Sequence, residues 1–215
     1  MKYLLALFLL LAFGNLLFAQ RVAINDTIKT VIANTPFNDD DEHQPEFPGG
    51  YAAFNKYMSK NLKYPEVARL IGIDGRLVVS FVVNKDGRIV QATPENCIGA
   101  GCEAEAVRLL TASPTWKPGT VDGKPVSVMY TIPINFTIGK GKVTTYMKNL
   151  RNSAYGFVFN IKGTLYTIDE AQKILGDSFP SDLIELAEPF YNYNKIQKFE
   201  MPDKKEVYLL ILKTT

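Results

Sequence analysis

The most regular pattern in the chain runs over residues 126–138. Val126, Val128, Tyr130, Ile132, Ile134, Phe136 and Ile138 alternate with Ser127, Met129, Thr131, Pro133, Asn135 and Thr137. A period of two puts the first set on one face of a strand and the second set on the other. Pro133 has no N–H to give to a ladder, so this strand is expected along a sheet edge. Upstream, Leu77, Val79, Phe81 and Val83 alternate with Val78, Ser80 and Val82. That stretch is apolar on both faces and is expected in the middle of a sheet, at least partly covered. Asn84-Lys85-Asp86-Gly87 turns the chain, with Gly87 able to take a positive φ. Arg88–Thr93 returns as a more exposed strand.

Helical spacing flanks these strands. Tyr51, Phe54, Met58 and Leu62 recur at intervals of three and four and end at Tyr64-Pro65, where the pre-proline residue avoids helical angles. Val67–Ile71 adds a short helical piece stopped by Gly72. Glu103 and Glu105 open another helix, where negative charge suits the helix dipole, with Ala106, Val107 and Leu110 as its apolar stripe. Trp116, the single tryptophan, reads as a core plug in the connection that follows, and Gly123 as a second turn. The predicted architecture is α+β: a three-stranded antiparallel sheet with two helices on one face. The first hairpin strand lies in the middle and residues 126–138 along one side.

The remaining segments divide the chain further. Residues 20–45 read as a flexible lead-in, with one short strand within Val22–Ile32. Residues 46–138 form the compact domain. Residues 139–154 carry four basic and no acidic side chains and read as a linker, with Val143–Leu150 open to a strand or short helix. Residues 155–215 read as a second, small α+β unit. It begins with a hairpin turning at Lys162-Gly163, continues with a helix capped by Asp169 and stopped by Gly176, and ends in a strand at KEVYLLILKT. A unit of roughly 60 residues is marginal alone, so packing on the first unit is expected.

The first residues, MKYLLALFLLLAFGNLLFAQ, have the layout of an export signal: a positive start at Lys2, an apolar core at Tyr3–Phe13 and a small residue, Ala19, before Gln20. Leu17 is a bulky −3 residue. The rival reading is an uncleaved anchor, for which Tyr3–Ala19 is barely long enough. Residues 1–19 are therefore expected to be a signal peptide and the chain periplasmic, tethered to the inner membrane if the segment is retained.

Composition narrows the chemistry. With 24 basic and 22 acidic residues in 215, the net charge is +2. A nucleic-acid binder would need a dense basic face, so nucleic acid is not expected as a partner. The one histidine, His43, sits in the acidic run DDDEHQPE and reads as a solvated linker residue, because no second His completes a metal site. Cys97 and Cys102, in NCIGAGCE, are a candidate disulfide in an oxidising compartment; the alternative is a pair of tolerated or buried thiols. No nucleophile elbow or phosphate-cradling glycine loop is present, and one His leaves the common Ser-His and Cys-His arrangements without a base. Neither catalytic, metal nor cofactor-binding residues are assigned, and no enzyme activity or cofactor is expected. An open sheet edge remains as the candidate site, because it offers backbone groups that recruit an extended peptide.

FPGG, YPEVARLIGIDGRLVVSFVVNKDGRI, CEAEAVRLL, WKPG and YTIPINF arrive in an order and spacing that resemble the C-terminal domain of TonB energy transducers, in the form seen in Bacteroidota. The resemblance covers about residues 46–138. It implies a periplasmic domain whose edge strand captures a segment of an outer-membrane TonB-dependent receptor, or of another envelope protein, during transport. The implied binding residues are Val128, Met129, Tyr130, Thr131, Ile132, Ile134, Asn135 and Phe136, acting mainly through their backbone. In the family an inner-membrane proton-driven motor pulls on that contact. Here Tyr3–Ala19 contains no Ser or His to couple to a motor, and the lead-in is not proline-rich. An exported adaptor is the first reading. A true transducer with an uncleaved anchor is the second, and a cell-wall or structural envelope module the third. Open edges also allow a homodimer.

Overall fold

The structure is a computed structural model, described over residues 28–29, 42–139 and 143–213. The expectations for the export signal and for most of the lead-in lie outside the described residues. The alternating segments form six strands of one sheet: β1 (Ile28–Lys29), β2 (Glu42–His43), β3 (Gly75–Val83), β4 (Ile89–Pro94), β5 (Gly119–Val121) and β6 (Lys124–Phe136). Their order is β2-β5-β6-β3-β4, with β1 pairing on β6. The expected three-stranded centre is present, with β3 between β6 and β4. The sheet is wider than expected because Asp122-Gly123 builds a second hairpin and the lead-in contributes two short strands. His43 accordingly sits in β2, opposite Thr120, and is not in an unstructured linker.

Two compact units emerge, each assembled from separate stretches of chain: Met1–Asn55, Phe81–Gln91 and Ser113–Thr131 in one, Lys56–Ser80, Ala92–Ala112 and Ile132–Thr215 in the other. The first is centred on aromatic rings. Trp116 lies 5.5 Å from Phe47, 5.3 Å from Phe54, 5.9 Å from Phe81 and 6.0 Å from Tyr130, centroid to centroid. Edge-on and tilted contacts of this kind favour ring quadrupoles and exclude water. The reading of Trp116 as a core plug holds, since it is only 7% exposed. Gly87 is required here: its φ is +76°, and a Cβ would collide with the Trp116 carbonyl oxygen. The Trp116 N–H in turn donates to the Gly87 carbonyl at 2.8 Å, which ties the first hairpin to the aromatic core.

The second unit packs helix α2 (Glu66–Ile71) and helix α3 (Cys102–Thr111) through Val67, Ala68, Ile71, Ala106, Leu109 and Leu110, all buried. Helix α1 (Gly50–Asn61) precedes them; of its predicted apolar stripe Phe54 is buried, Tyr51 is 80% exposed and Leu62 lies beyond the helix end. Gly72 ends α2 at φ +74°, as expected of a left-handed C-cap. Glu105, 9% exposed, accepts from the Lys63 N–H at 2.6 Å and from Arg108 at 2.7 Å. Burial alone would raise its carboxyl, but the Arg108 and Lys63 hydrogen bonds outweigh that and hold it below the usual range.

Within residues 139–154 the alternative to a linker, a strand or short helix over Val143–Leu150, is what forms: β7 (Thr144–Tyr146) and α4 (Met147–Asn152), with Thr145, Met147 and Leu150 buried. Thr145 Oγ1 donates to the Ile71 carbonyl at 2.9 Å and lies 2.7 Å from Ser181 Oγ. Beyond it, β8 (Gly156–Ile161) and β9 (Thr164–Tyr166) form the expected hairpin at Lys162-Gly163, both at positive φ. Helix α5 (Ile168–Leu175) follows. Its N-cap is Thr167 in a capping box with Glu170; Asp169 lies inside the helix. The final strand β12 (Val207–Leu212) runs parallel to β8 and antiparallel to β11 (Ile184–Pro189), and β10 (Ser178–Pro180) pairs with β7. A parallel β8–β12 pair needs a long crossover, which residues 162–206 supply.

The disulfide considered from the sequence is not formed. Cys97 is exposed in the loop before α3, whereas Cys102 is the fully buried first residue of that helix. The intervening Gly99, Ala100 and Gly101 all take positive φ, and this loop docks the Ala100 N–H on the Ala187 carbonyl at 2.7 Å instead of closing a small ring. Burial pushes the Cys102 thiol up to about 12.

Candidate functional site: the outer margin of β6

Two sets of contacts fix which backbone groups of β6 face outward. Asp122 and Gly123 have φ of 50° and 70°, a two-residue type I′ hairpin, and Val121 faces Lys124 across it. In such a turn the Val121 carbonyl accepts from the Lys124 N–H, so Lys124 points its N–H and C=O toward β5. Pro125 stands opposite Thr120, where no donor toward β5 is needed. Further along, β3 decides. The Val78 N–H donates to Asn96 Oδ1, its C=O accepts from Glu95, and the Asn84 N–H donates to Arg88, so even-numbered β3 residues face β4 and Leu77, Val79, Phe81 and Val83 face β6. Tyr130 stacks on Phe81 on the same face of the sheet, which sets the even-numbered residues of β6 opposite them, pointing at β3. The Ile138 N–H, donating to Asp74 Oδ1 just ahead of β3, agrees. The groups facing away from β3 therefore belong to Met129, Thr131, Pro133 and Asn135.

Pro133 thus sits where an edge strand tolerates it, with no donor owed to β3, and it leaves one gap among the outward donors. Nor is the strand bare on that side from end to end. β5 pairs with Lys124–Val126, and β1 pairs in parallel beside Ser127 and Val128. Among the described residues, no strand pairs with the outer side of Met129–Phe136. This stretch is roughly 26 Å long at about 3.3 Å per residue.

Side chains of the residues between these outward groups anchor the margin. Val128, Ile134 and Phe136 are buried, with exposures of 2%, 4% and 1%. Phe136 meets Tyr64 edge-on at 5.7 Å. Tyr130 stacks on Phe81 with centroids 5.8 Å apart, and its hydroxyl donates to the Pro45 carbonyl at 3.1 Å. Burial pushes its phenol up to about 12, so it stays a neutral donor. Thr131 and Asn135 lie exposed on the opposite face, with Met129 and Ile132 half-buried. The ladder groups are thus held on a strand whose inward side chains are locked by packing, while few side chains remain to read a ligand's sequence.

The other sheet margins are poorer. β4 ends the strand order on the far side, but Gln91 takes a φ of 53° in its middle, which breaks a regular ladder. β2 has two residues. No group of three or more His, Cys, Asp or Glu side chains able to hold a metal occurs among the described residues. No helix among them is long and apolar enough to cross a membrane.

Comparison with known proteins bears on this segment. Residues 60–138 match the family model described as Gram-negative bacterial TonB protein C-terminal. A comparison with curated proteins finds no match. Among solved structures, the chain is similar to the TonB C-terminal domain of Pseudomonas aeruginosa, at 28% identity over 49% of this chain and 94% of that one, with a TM-score of 0.31. It is also similar to a Helicobacter pylori TonB C-terminal domain, at 21% identity over 42% and 95% of the two chains, with a TM-score of 0.29. The family match takes in α2, β3, β4, α3, β5 and β6, and so the whole of the margin described above. Over residues 60–138 the chain is similar to the TonB protein C-terminal family.

Proposed function

We propose that this chain is an exported protein-interaction module of TonB-dependent transport. It captures an extended segment of an outer-membrane TonB-dependent receptor, or of another envelope protein, as an added strand on β6. The carrying observation is the outer margin of Met129–Phe136: outward N–H and C=O groups at Met129, Thr131 and Asn135 and the C=O of Pro133, on a strand whose alternate side chains are fixed in the core. Main-chain hydrogen bonds would supply the affinity, and the few exposed side chains would supply modest selectivity. The family match over residues 60–138 supports this reading.

The test is capture from envelope extract by the full chain, with receptors identified by mass spectrometry. Thr131→Pro removes one outward donor from the middle of the margin. Loss of a TonB-dependent receptor from the Thr131→Pro captures, with the variant still folded by circular dichroism, supports edge addition. An identical partner set for both proteins overturns it.

A further inference from the structure

The proposed capture margin already has an occupant at one end. β1, from the chain's own lead-in, pairs in parallel with β6 in the register Ile28 with Ser127 and Lys29 with Val128. It takes up the margin where β5 leaves off, since β5 ends its pairing at Val126. The segment suits the role: Thr27-Ile28-Lys29-Thr30-Val31-Ile32 is dominated by β-branched residues, which favour extended pairing. Its tether is short. β2 is pinned on β5 by Glu42 opposite Val121 and His43 opposite Thr120, so residues 30–41 link β1 to an anchor in the same sheet.

We infer that Ile28–Lys29 is a cis occupant of the capture margin: an incoming extended segment competes with the lead-in for the outward groups of Ser127 and Met129, while those of Thr131 and Asn135 meet no strand among the described residues. This rests on the reading of β6 as the capture strand. It makes the lead-in a built-in competitor that sets the threshold for capture, and it restricts an external strand to the C-terminal part of β6 unless the lead-in is displaced.

The experiment compares the full chain with an I28P/K29P variant, which removes two donors from β1 and leaves β6 untouched. Hydrogen exchange followed by NMR reads the margin directly. The Met129 amide is expected to exchange at least about tenfold faster in I28P/K29P, while Val126, bonded to β5, is unchanged. A synthetic peptide of residues 22–34, VAINDTIKTVIAN, serves as the probe in trans. It is expected to bind I28P/K29P about three- to tenfold more tightly than the unmodified chain, the worth of one or two released hydrogen bonds, with shifts confined to Ser127–Phe136. Equal exchange at Met129, or equal affinity of the peptide for both proteins, overturns the inference. Receptor capture that is sensitive to Thr131→Pro and indifferent to I28P/K29P would sink the cis occupant while leaving strand capture standing. Capture indifferent to Thr131→Pro would sink strand capture itself.

Discussion

Two adjacent proline substitutions separate the outward from the inward side of β6. Thr131 and Ile132 are neighbours, yet the pairing with β3 sends the Ile132 N–H toward β3 and the Thr131 N–H outward. Ile132→Pro removes a ladder donor and leaves its acceptor on β3 unpaired, which costs about 1–3 kcal/mol, and the ring adds steric disruption inside the sheet. A total of about 3 kcal/mol or more is expected. Thr131→Pro loses no bond to another described strand. Thr131 is exposed, so the loss of its side chain adds little, and a cost below about 1 kcal/mol is expected. Urea unfolding of both variants measures the difference, with unchanged slope as the check that the same surface is exposed. Hydrogen exchange in the unmodified chain gives a second reading: Thr131 and Asn135 amides exchange fast, Tyr130 and Ile132 slowly. Equal losses of stability in the two variants, or equal protection of the Thr131 and Ile132 amides, would refute the assignment of sides.

Further expectations concern the frame that holds this strand. Gly87→Ala places a Cβ against the Trp116 carbonyl at a positive φ and is expected to destabilise the fold by about 2 kcal/mol or more, read by thermal unfolding and loss of native Trp fluorescence. The Glu105 carboxyl is held low in the folded state, so its contribution is present above the unfolded carboxylate range and lost as pH falls through the folded value. Glu105→Gln should therefore lower stability by about 1–2 kcal/mol at pH 7 and flatten the acid limb of the stability profile below about pH 4.5. Burial, then hydrogen bonding to Glu103, raises the Cys97 thiol, and burial raises Cys102 further. Alkylation of the native protein at pH 7.5 should label Cys97 slowly and Cys102 only after unfolding, with two free thiols in the denatured, unreduced chain. A single mass shift from a bridge would contradict the geometry.

Much of the domain was legible in residue order because its signals are local. Alternation placed β3 and β6, and Gly72, Gly87 and Gly123 marked backbone that needs positive φ. Apolar spacing at three and four located α1, and Lys162-Gly163 located the β8–β9 turn. Each of these depends on neighbours within a few positions, so the chain itself records them. Where local cues were equivocal the reading stayed open or failed: a basic segment read as a linker or as a strand or short helix, and its Thr145, Met147 and Leu150 are buried, while Asp169 looked like a cap although Thr167, two residues earlier, completes the capping box.

Tertiary structure alone decided the rest, because it depends on pairings between distant residues. The sequence determined that residues 126–138 form a strand with one apolar face. Which side of that strand stays open followed from the β5 hairpin, from β3 on the other flank and from the pairing of Lys29 with Val128, almost a hundred residues apart. The fate of Cys97 and Cys102 was likewise set by three left-handed residues that carry the loop to Ala187. Periodicity reports which face of a strand is apolar; only the partners on its two flanks determine which backbone groups are left over, and those leftover groups are the proposed site.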